Sequence, residues 1–331
     1  MHTRHPRFRL LLVPLAVLAL LASACGGDDD GGDSETAPAE TVAPEEADAI
    51  DLDGVSLTVG SKDFDESILL GQMMVIAAGE KGADVTDSTN TGGTNVARQA
   101  LESGEIGVYP EYNGTGWTEH LGNEDPSSDP EELYTMVAEQ DLETNNIHWL
   151  GSSEFNNTYG FATGPDLTEE NGEPFSFETM ATYLEENPDA TVCMETEFPD
   201  RSDGLVLWED ETGYEIPQDQ IEILDTNIIY TETANGNCDF GEIFTTDGRI
   251  EGLDLTIVED PGAMIIYNVS YTFTDEAYQQ NPEGLTELSE AILGGLSQEK
   301  MNELNKQVSF DGEDPADVAT GYLEEIGLIT G

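Results

Sequence analysis

Residues 55–66 read Val55-Ser56-Leu57-Thr58-Val59-Gly60-Ser61-Lys62-Asp63-Phe64-Asp65-Glu66, and the change of period inside them sets the fold class. Val55, Leu57 and Val59 alternate with Ser56 and Thr58, the period of a half-buried strand, which Gly60 ends. Ser61 or Asp63 can then cap a helix that starts near Phe64, with Leu69, Met73 and Ile76 on one face. A strand that turns at once into a helix is the building unit of a layered α/β protein.

The same alternation continues outward. Gly92-Gly93-Thr94-Asn95 leads into a second helix, expected to bury Val96, Ala97, Ala100 and Leu101. Residues 106–112 read as a strand that runs into the turn-rich loop Asn113-Gly114-Thr115-Gly116. Further on, residues 191–194, 221–224, 239–244 and 253–258 read as strands, with a helix from about 203 to 209. Residues 285–293, 298–307 and 314–326 carry helical patterns. That content exceeds one sheet over one core, and two α/β lobes clamping a ligand account for it. No internal repeat is visible.

At the N-terminus, Arg4, Arg7 and Arg9 precede an apolar run at 10–21 and then Ala22-Ser23-Ala24-Cys25-Gly26. Basic start, short apolar core and small residues describe a secretory signal, residues 1–24, and the run is too short to span a bilayer comfortably. Cys25 after Ala24 resembles a bacterial lipobox, although Leu21 stands four residues before the cysteine where three is usual. Diacylation at Cys25 would hold the chain stably on the outer face of the cell membrane. Residues 25–53, mostly Gly, Asp, Glu, Ala, Pro and Thr, read as an acidic flexible tether.

The formal charge is −60, from 70 acidic against 10 basic residues. Nucleic acid is excluded as a partner, because it needs clustered Lys and Arg. The acids are spread through folded-looking sequence, as suits a surface working in concentrated salt. Apart from Cys25 the cysteines are Cys193 and Cys238. Export puts them in an oxidising compartment, where a disulfide is expected over two buried thiols. No further ligands stand near them at zinc spacing, so no metal is expected.

No Gly-rich phosphate loop, GxSxG elbow or HExxH occurs, so neither enzyme activity nor a cofactor is expected. With acids everywhere, a pair of carboxylates carries no information, whereas basic residues are informative because they are rare. Lys62 and Arg201 each follow a strand, where ligands sit in open α/β sheets. Each could bind a carboxylate or form an internal ion pair, whereas Arg98 and Arg249 read as structural. Tyr112, Tyr159 and Tyr267 stand in Gly- and Asn-rich stretches as candidate ligand contacts.

Seven motifs in order then carry a resemblance. They are Val59-Gly60-Ser61-Lys62-Asp63-Phe64, Gly92-Gly93-Thr94, Tyr109-Pro110-Glu111-Tyr112-Asn113-Gly114-Thr115, Asn157-Thr158-Tyr159, Arg201-Ser202-Asp203-Gly204-Leu205, Thr246-Asp247-Gly248-Arg249-Ile250 and Asp314-Pro315-Ala316-Asp317-Val318-Ala319. From about residue 54 onward the chain resembles the glycine betaine/choline/carnitine-binding proteins of osmoprotectant ABC transporters. The resemblance implies the two-lobed type II periplasmic-binding fold, lobe 1 from 54–158 and 264–331 and lobe 2 from 159–263. It also implies a cage of Tyr112, Tyr159, Phe244 and Tyr267 around a quaternary ammonium, with Lys62, Thr115 and Arg201 on a carboxylate. Phe244 stands where relatives often have tyrosine, and Tyr230 could serve in its place. The implied ligand is glycine betaine or a related compound, delivered to a permease and its ATPase. Choline or carnitine, or solute sensing by a surface lipoprotein without transport, are the alternatives.

Overall fold

The computed structural model describes Val42, Ala47 and residues 49–330; the signal segment, Cys25 and most of the tether lie outside the described residues. The opening strand is β1 (Ser56–Gly60), and helix α1 (Asp65–Glu80) follows it with Leu69, Leu70, Met73, Met74 and Ala77 buried. Between them and α2 (Thr94–Glu102) lies β2 (Asp84–Ser88), which the sequence pattern did not reveal. Its residues Asp-Val-Thr-Asp-Ser form an exposed edge strand, so no apolar alternation marks it. In α2 the residues Ala97, Ala100 and Leu101 are buried as expected, but Val96 is 52% exposed.

β3 (Val108–Tyr112) leads into consecutive helical turns, Asn113–Thr115 and Gly116–His120, where a loop was expected. Helix α3 (Pro130–Asn145) and β4 (Ile147–Leu150) complete the first half. Asp129 caps α3 by accepting from the Glu131 and Glu132 amides, and Pro130 fits its first turn. Asn146 ends it in the left-handed region at φ 56°.

The second half runs β5 (Tyr159–Thr163), α4 (Pro165–Asn171), α5 (Phe177–Glu186), β6 (Val192–Met194), α6 (Leu205–Thr212), β7 (Ile221–Ile223), α7 (Thr226–Ala234), β8 (Phe240–Phe244) and β9 (Thr256–Ile257). The chain then returns to the first sheet with β10 (Val269–Thr274) and ends in α8 (Pro282–Gly294), α9 (Gln298–Ser309) and α10 (Pro315–Glu325). Asn281, Ser297 and Asp314 cap these last three helices. Tyr159, read as a loop residue, is the first residue of β5.

The strands form two five-stranded sheets, ordered β2-β1-β3-β10-β4 and β7-β6-β8-β5-β9. The layouts match. In each, a parallel trio is flanked by one strand that runs antiparallel to its neighbours, β10 in the first sheet and β5 in the second. The chain crosses between sheets at residues 151–158 and 258–268, and the two crossings are tied together. Thr158 Oγ1 donates to the Ile265 carbonyl at 2.7 Å, and the Tyr267 amide to Asn156 Oδ1 at 2.7 Å.

Cys193 in β6 and Cys238 before β8 are disulfide-bonded, with Cα atoms 5.8 Å apart. The folded part also takes in residues that composition gave to the tether. Ile50 and Leu52 are buried in the core, and Lys81 Nζ donates to the Ala47 carbonyl. Two apolar residues among acids are enough to dock that stretch. Arg98 forks onto Asp141, Arg249 onto Asp247 and Asp65, and Lys300 pairs with Glu303 and Glu325. Those bases serve the fold.

Candidate functional site

The C-terminal ends of the parallel strands in both sheets border one cavity of about 670 Å³. That is where open α/β sheets present ligand groups, because loops and helix N-termini converge there. From the first sheet's side come the β1–α1 turn, the start of α2, and the end of β3. From the second come the residues after β6 and β7, the first residue of β5 and the last of β8.

One part of the cavity is aromatic. Tyr159 lies 5.2 Å from Phe244 and 5.5 Å from Tyr267 between ring centroids, the latter pair edge-on at 89°. Phe64 bridges the group to Tyr112, 5.1 Å from Phe244 and 5.9 Å from Tyr112. All five line the cavity. Phe64 was overlooked because it was read as the start of a helix capped by Ser61 or Asp63; it is instead the extended residue just before the helix, and no side chain caps that end. Tyr230 is not in this group. It is fully buried behind β8, where its hydroxyl accepts from the Phe244 amide and Arg249 stacks on its ring at 4.6 Å.

The orientation of Tyr112 is fixed from behind by Glu66. Tyr112 Oη and Asn157 Nδ2 donate to Glu66 Oε1, both at 2.8 Å. Thr246 Oγ1 and Asn305 Nδ2 donate to Oε2 at 2.6 and 2.7 Å. Burial pushes the Glu66 carboxyl up, and these donors oppose the shift. Four converging partners occupy both oxygens of the carboxyl. It joins β3, the first crossing, the segment after β8 and α9 at one point.

The three residues expected on a carboxylate are partly brought together. Arg201 reaches Thr115 Oγ1 at 3.4 Å and Thr94 Oγ1 at 3.3 Å, linking the two halves. Its Nε and Nη2 are occupied by Asp203 at 2.7 and 2.8 Å, and its guanidinium lies 5.5 Å from the Tyr159 ring centroid. Burial raises the Asp203 carboxyl, but Arg201 outweighs it and holds the group below the usual range. Lys62 stands apart. It borders the cavity, yet its Nζ pairs with Glu111 at 2.7 Å and lies 5.1 Å from the Tyr112 ring centroid. Glu111, also bonded by His120 and Tyr109, is held well below the usual carboxylate range; Lys62 and His120 outweigh burial.

The second-sheet side is acidic. Glu195 and Glu197, just after β6, and Asp225, before α7, line the cavity. Behind Glu195 lies Glu242, 1% exposed, whose Oε2 accepts from the Glu195 amide at 3.2 Å. Burial first, and Glu195 next, push the Glu242 carboxyl up to about 8. Such a geometry can hold a desolvated cation against ring faces, with the Thr94 and Thr115 hydroxyls at one edge and carboxyl acceptors at another. Arg201 is not among the residues that border the cavity and stands behind those hydroxyls.

A family model described as the substrate binding domain of ABC-type glycine betaine transport systems matches residues 55–325. The glycine-betaine-binding protein of Pseudomonas aeruginosa is 30% identical over 284 residues, covering 83% of this chain and 89% of that protein. The glycine betaine-binding protein YehZ of Escherichia coli is 28% identical over 276 residues, 81% of this chain and 90% of that one. A solved structure described as a glycine betaine/carnitine/choline ABC transporter has a TM-score of 0.65 at 22% identity, covering 82% of this chain and 99% of that one. It shows the same two-lobed fold.

Proposed function

We propose that this chain, which belongs to the family of substrate-binding domains of ABC-type glycine betaine transport systems, captures a small quaternary ammonium compound, glycine betaine or a relative, and hands it to a permease with its ATPase. The observation that carries this is the convergence of Phe64, Tyr112, Tyr159, Phe244 and Tyr267 on one cavity. A quaternary nitrogen has no N–H to recognise, so ring faces are the means of holding it, each worth roughly 0.5–2 kcal/mol.

On this reading Tyr112, Tyr159, Phe244 and Tyr267 form the cage, and Thr115 and Arg201 meet a ligand carboxylate. Lys62 contributes its charge from beside Tyr112 while paired with Glu111. Lobe 1 comprises 54–158 and 264–331, lobe 2 comprises 159–263, and the tied crossings are the hinge. Export by residues 1–24 and lipid at Cys25 would keep the protein at the outer membrane face. The chain works by binding, and no step of catalysis is assigned to it.

Calorimetric titration with glycine betaine and with choline, at low salt and in about 2 M NaCl, tests the reading. A caged, buried cation predicts betaine affinity that shifts less than about threefold between the two salts. Absence of binding to any quaternary ammonium would overturn the ligand class and leave the fold untouched.

A further inference from the structure

The charged groups around the cavity are matched unevenly. Lys62 is spent on Glu111, and Arg201 gives two of its donors to Asp203. Glu195, Glu197 and Asp225 border the cavity, and a single Arg201–Glu197 approach at 3.5 Å is their one basic contact among the described residues. Of the buried side-chain oxygens without a partner among the described residues, two lie at the cavity or directly behind its wall. Asn157 lines the cavity, is 4% exposed and has an orphan Oδ1. Its amide orientation is settled, since Nδ2 must be the atom facing the Glu66 carboxylate. The second orphan is Glu242 Oε1.

Glu242 shares a face of β8 with Phe244 two residues on, and its carboxyl reaches the end of β6 where Glu195 borders the cavity. A buried acceptor left unmade is costly, and a ligand that only accepts hydrogen bonds does not satisfy Asn157 Oδ1. Glycine betaine is such a ligand, because it bears a carboxylate and no N–H or O–H.

We infer that the cleft prefers quaternary ammonium compounds that also carry a hydrogen-bond donor, a hydroxyl or an N–H, and that Glu195 is the residue that reads it. The inference rests on the quaternary-ammonium reading above and adds a specificity element to the same cleft. Glu195 is poised for the task. Its carboxyl takes the backbone amides of Glu197, at 2.7 Å to Oε2, and of Phe198, which fixes it at the cavity edge. Burial raises the Glu195 carboxyl, opposed by the Glu197 and Phe198 amides and by Arg201, and Glu242 beneath it is pushed up to about 8.

Matched ligand pairs separate the donor from the cage. Carnitine and its deoxy analogue γ-butyrobetaine differ only in one hydroxyl, as do choline and its O-methyl ether in one O–H. Titration of the full chain should give the donor-bearing member of the better-bound pair an affinity at least about tenfold higher. In Glu195→Gln that ratio should fall to within about twofold, and binding of the donor-free member shows that the variant has folded. Equal affinities within both pairs, or a ratio that survives Glu195→Gln, would overturn the inference while the cage stands. Failure of every compound, glycine betaine included, would remove the quaternary-ammonium reading as well.

Discussion

The two sheets share one strand order, yet they treat buried charge in opposite ways. On the first sheet, the buried charges beside the cavity have a counter-charge or donor set: Lys62 with Glu111, Glu66 with its four donors. On the second, the end of β6 carries Glu195 over Glu242 with no ion-pair partner within 4 Å among the described residues and Arg201 as the cation acting on both, and the Cys193–Cys238 disulfide anchors that strand. A fully compensated wall is rigid and fixes the rings that hold the cation. An under-compensated wall keeps binding capacity for whatever donor arrives, and stability is what it gives up. The difference teaches that two sheets of one layout can border one cavity with unlike charge environments while both supply its aromatic rings.

The strongest way to break the comparison is to uncompensate the first wall. Lys62→Met leaves Glu111 buried with His120 and Tyr109 as its side-chain partners, and loss of one partner from a buried ion pair costs about 3–5 kcal/mol. Denaturant unfolding at neutral pH should show that loss. A change below about 1 kcal/mol, the size of a surface pair, would mean that the pair is not the keystone of its wall.

Next in size is the cage itself. Tyr159→Ala removes a ring that touches Phe244, Tyr267 and Arg201. Affinity for glycine betaine should fall about a hundredfold, near 3 kcal/mol from cation–π contact and packing together. Tyr109→Ala is the control: Tyr109 is fully buried in the cluster with Ala97, Leu101 and Trp149, away from the cavity lining. It should lower stability while leaving the affinity of the folded protein within about threefold. Equal losses of affinity would place the cage elsewhere.

Much of this was legible in the sequence, for physical reasons that differ by element. The β1–α1 stretch announces itself through a change of period, and Tyr112, Tyr159, Phe244 and Tyr267, singled out by motif, do border one cavity. β2 was silent because an exposed edge of Asp, Thr and Ser needs no apolar face. β5 and β10 were missed although they are rich in aromatics; buried throughout or nearly so, they show little of the alternation that marks a half-exposed strand. Glu66, Glu195 and Glu242 had no signal at all. Among 70 acidic residues no single carboxylate stands out, and only burial and the donors that the fold brings from distant segments separate these three from solvated surface.

The smallest of these effects sharpens the second wall. The Glu242 carboxyl, raised by burial and by Glu195 to about 8, binds its proton more tightly folded than unfolded. Its contribution to stability is therefore fully present below the ordinary carboxylate range and is lost as pH rises through about 8. Glu242→Gln keeps the shape and removes the titration. Relative to the wild type, the variant should gain stability as pH rises from about 6 to 9, by on the order of 2 kcal/mol, and the gain should level off above that range. Thermal melts across that range decide it. A stability difference that does not move with pH would mean that Glu242 does not change its ionisation on folding, and that Arg201, the cation acting on it, offsets burial and Glu195.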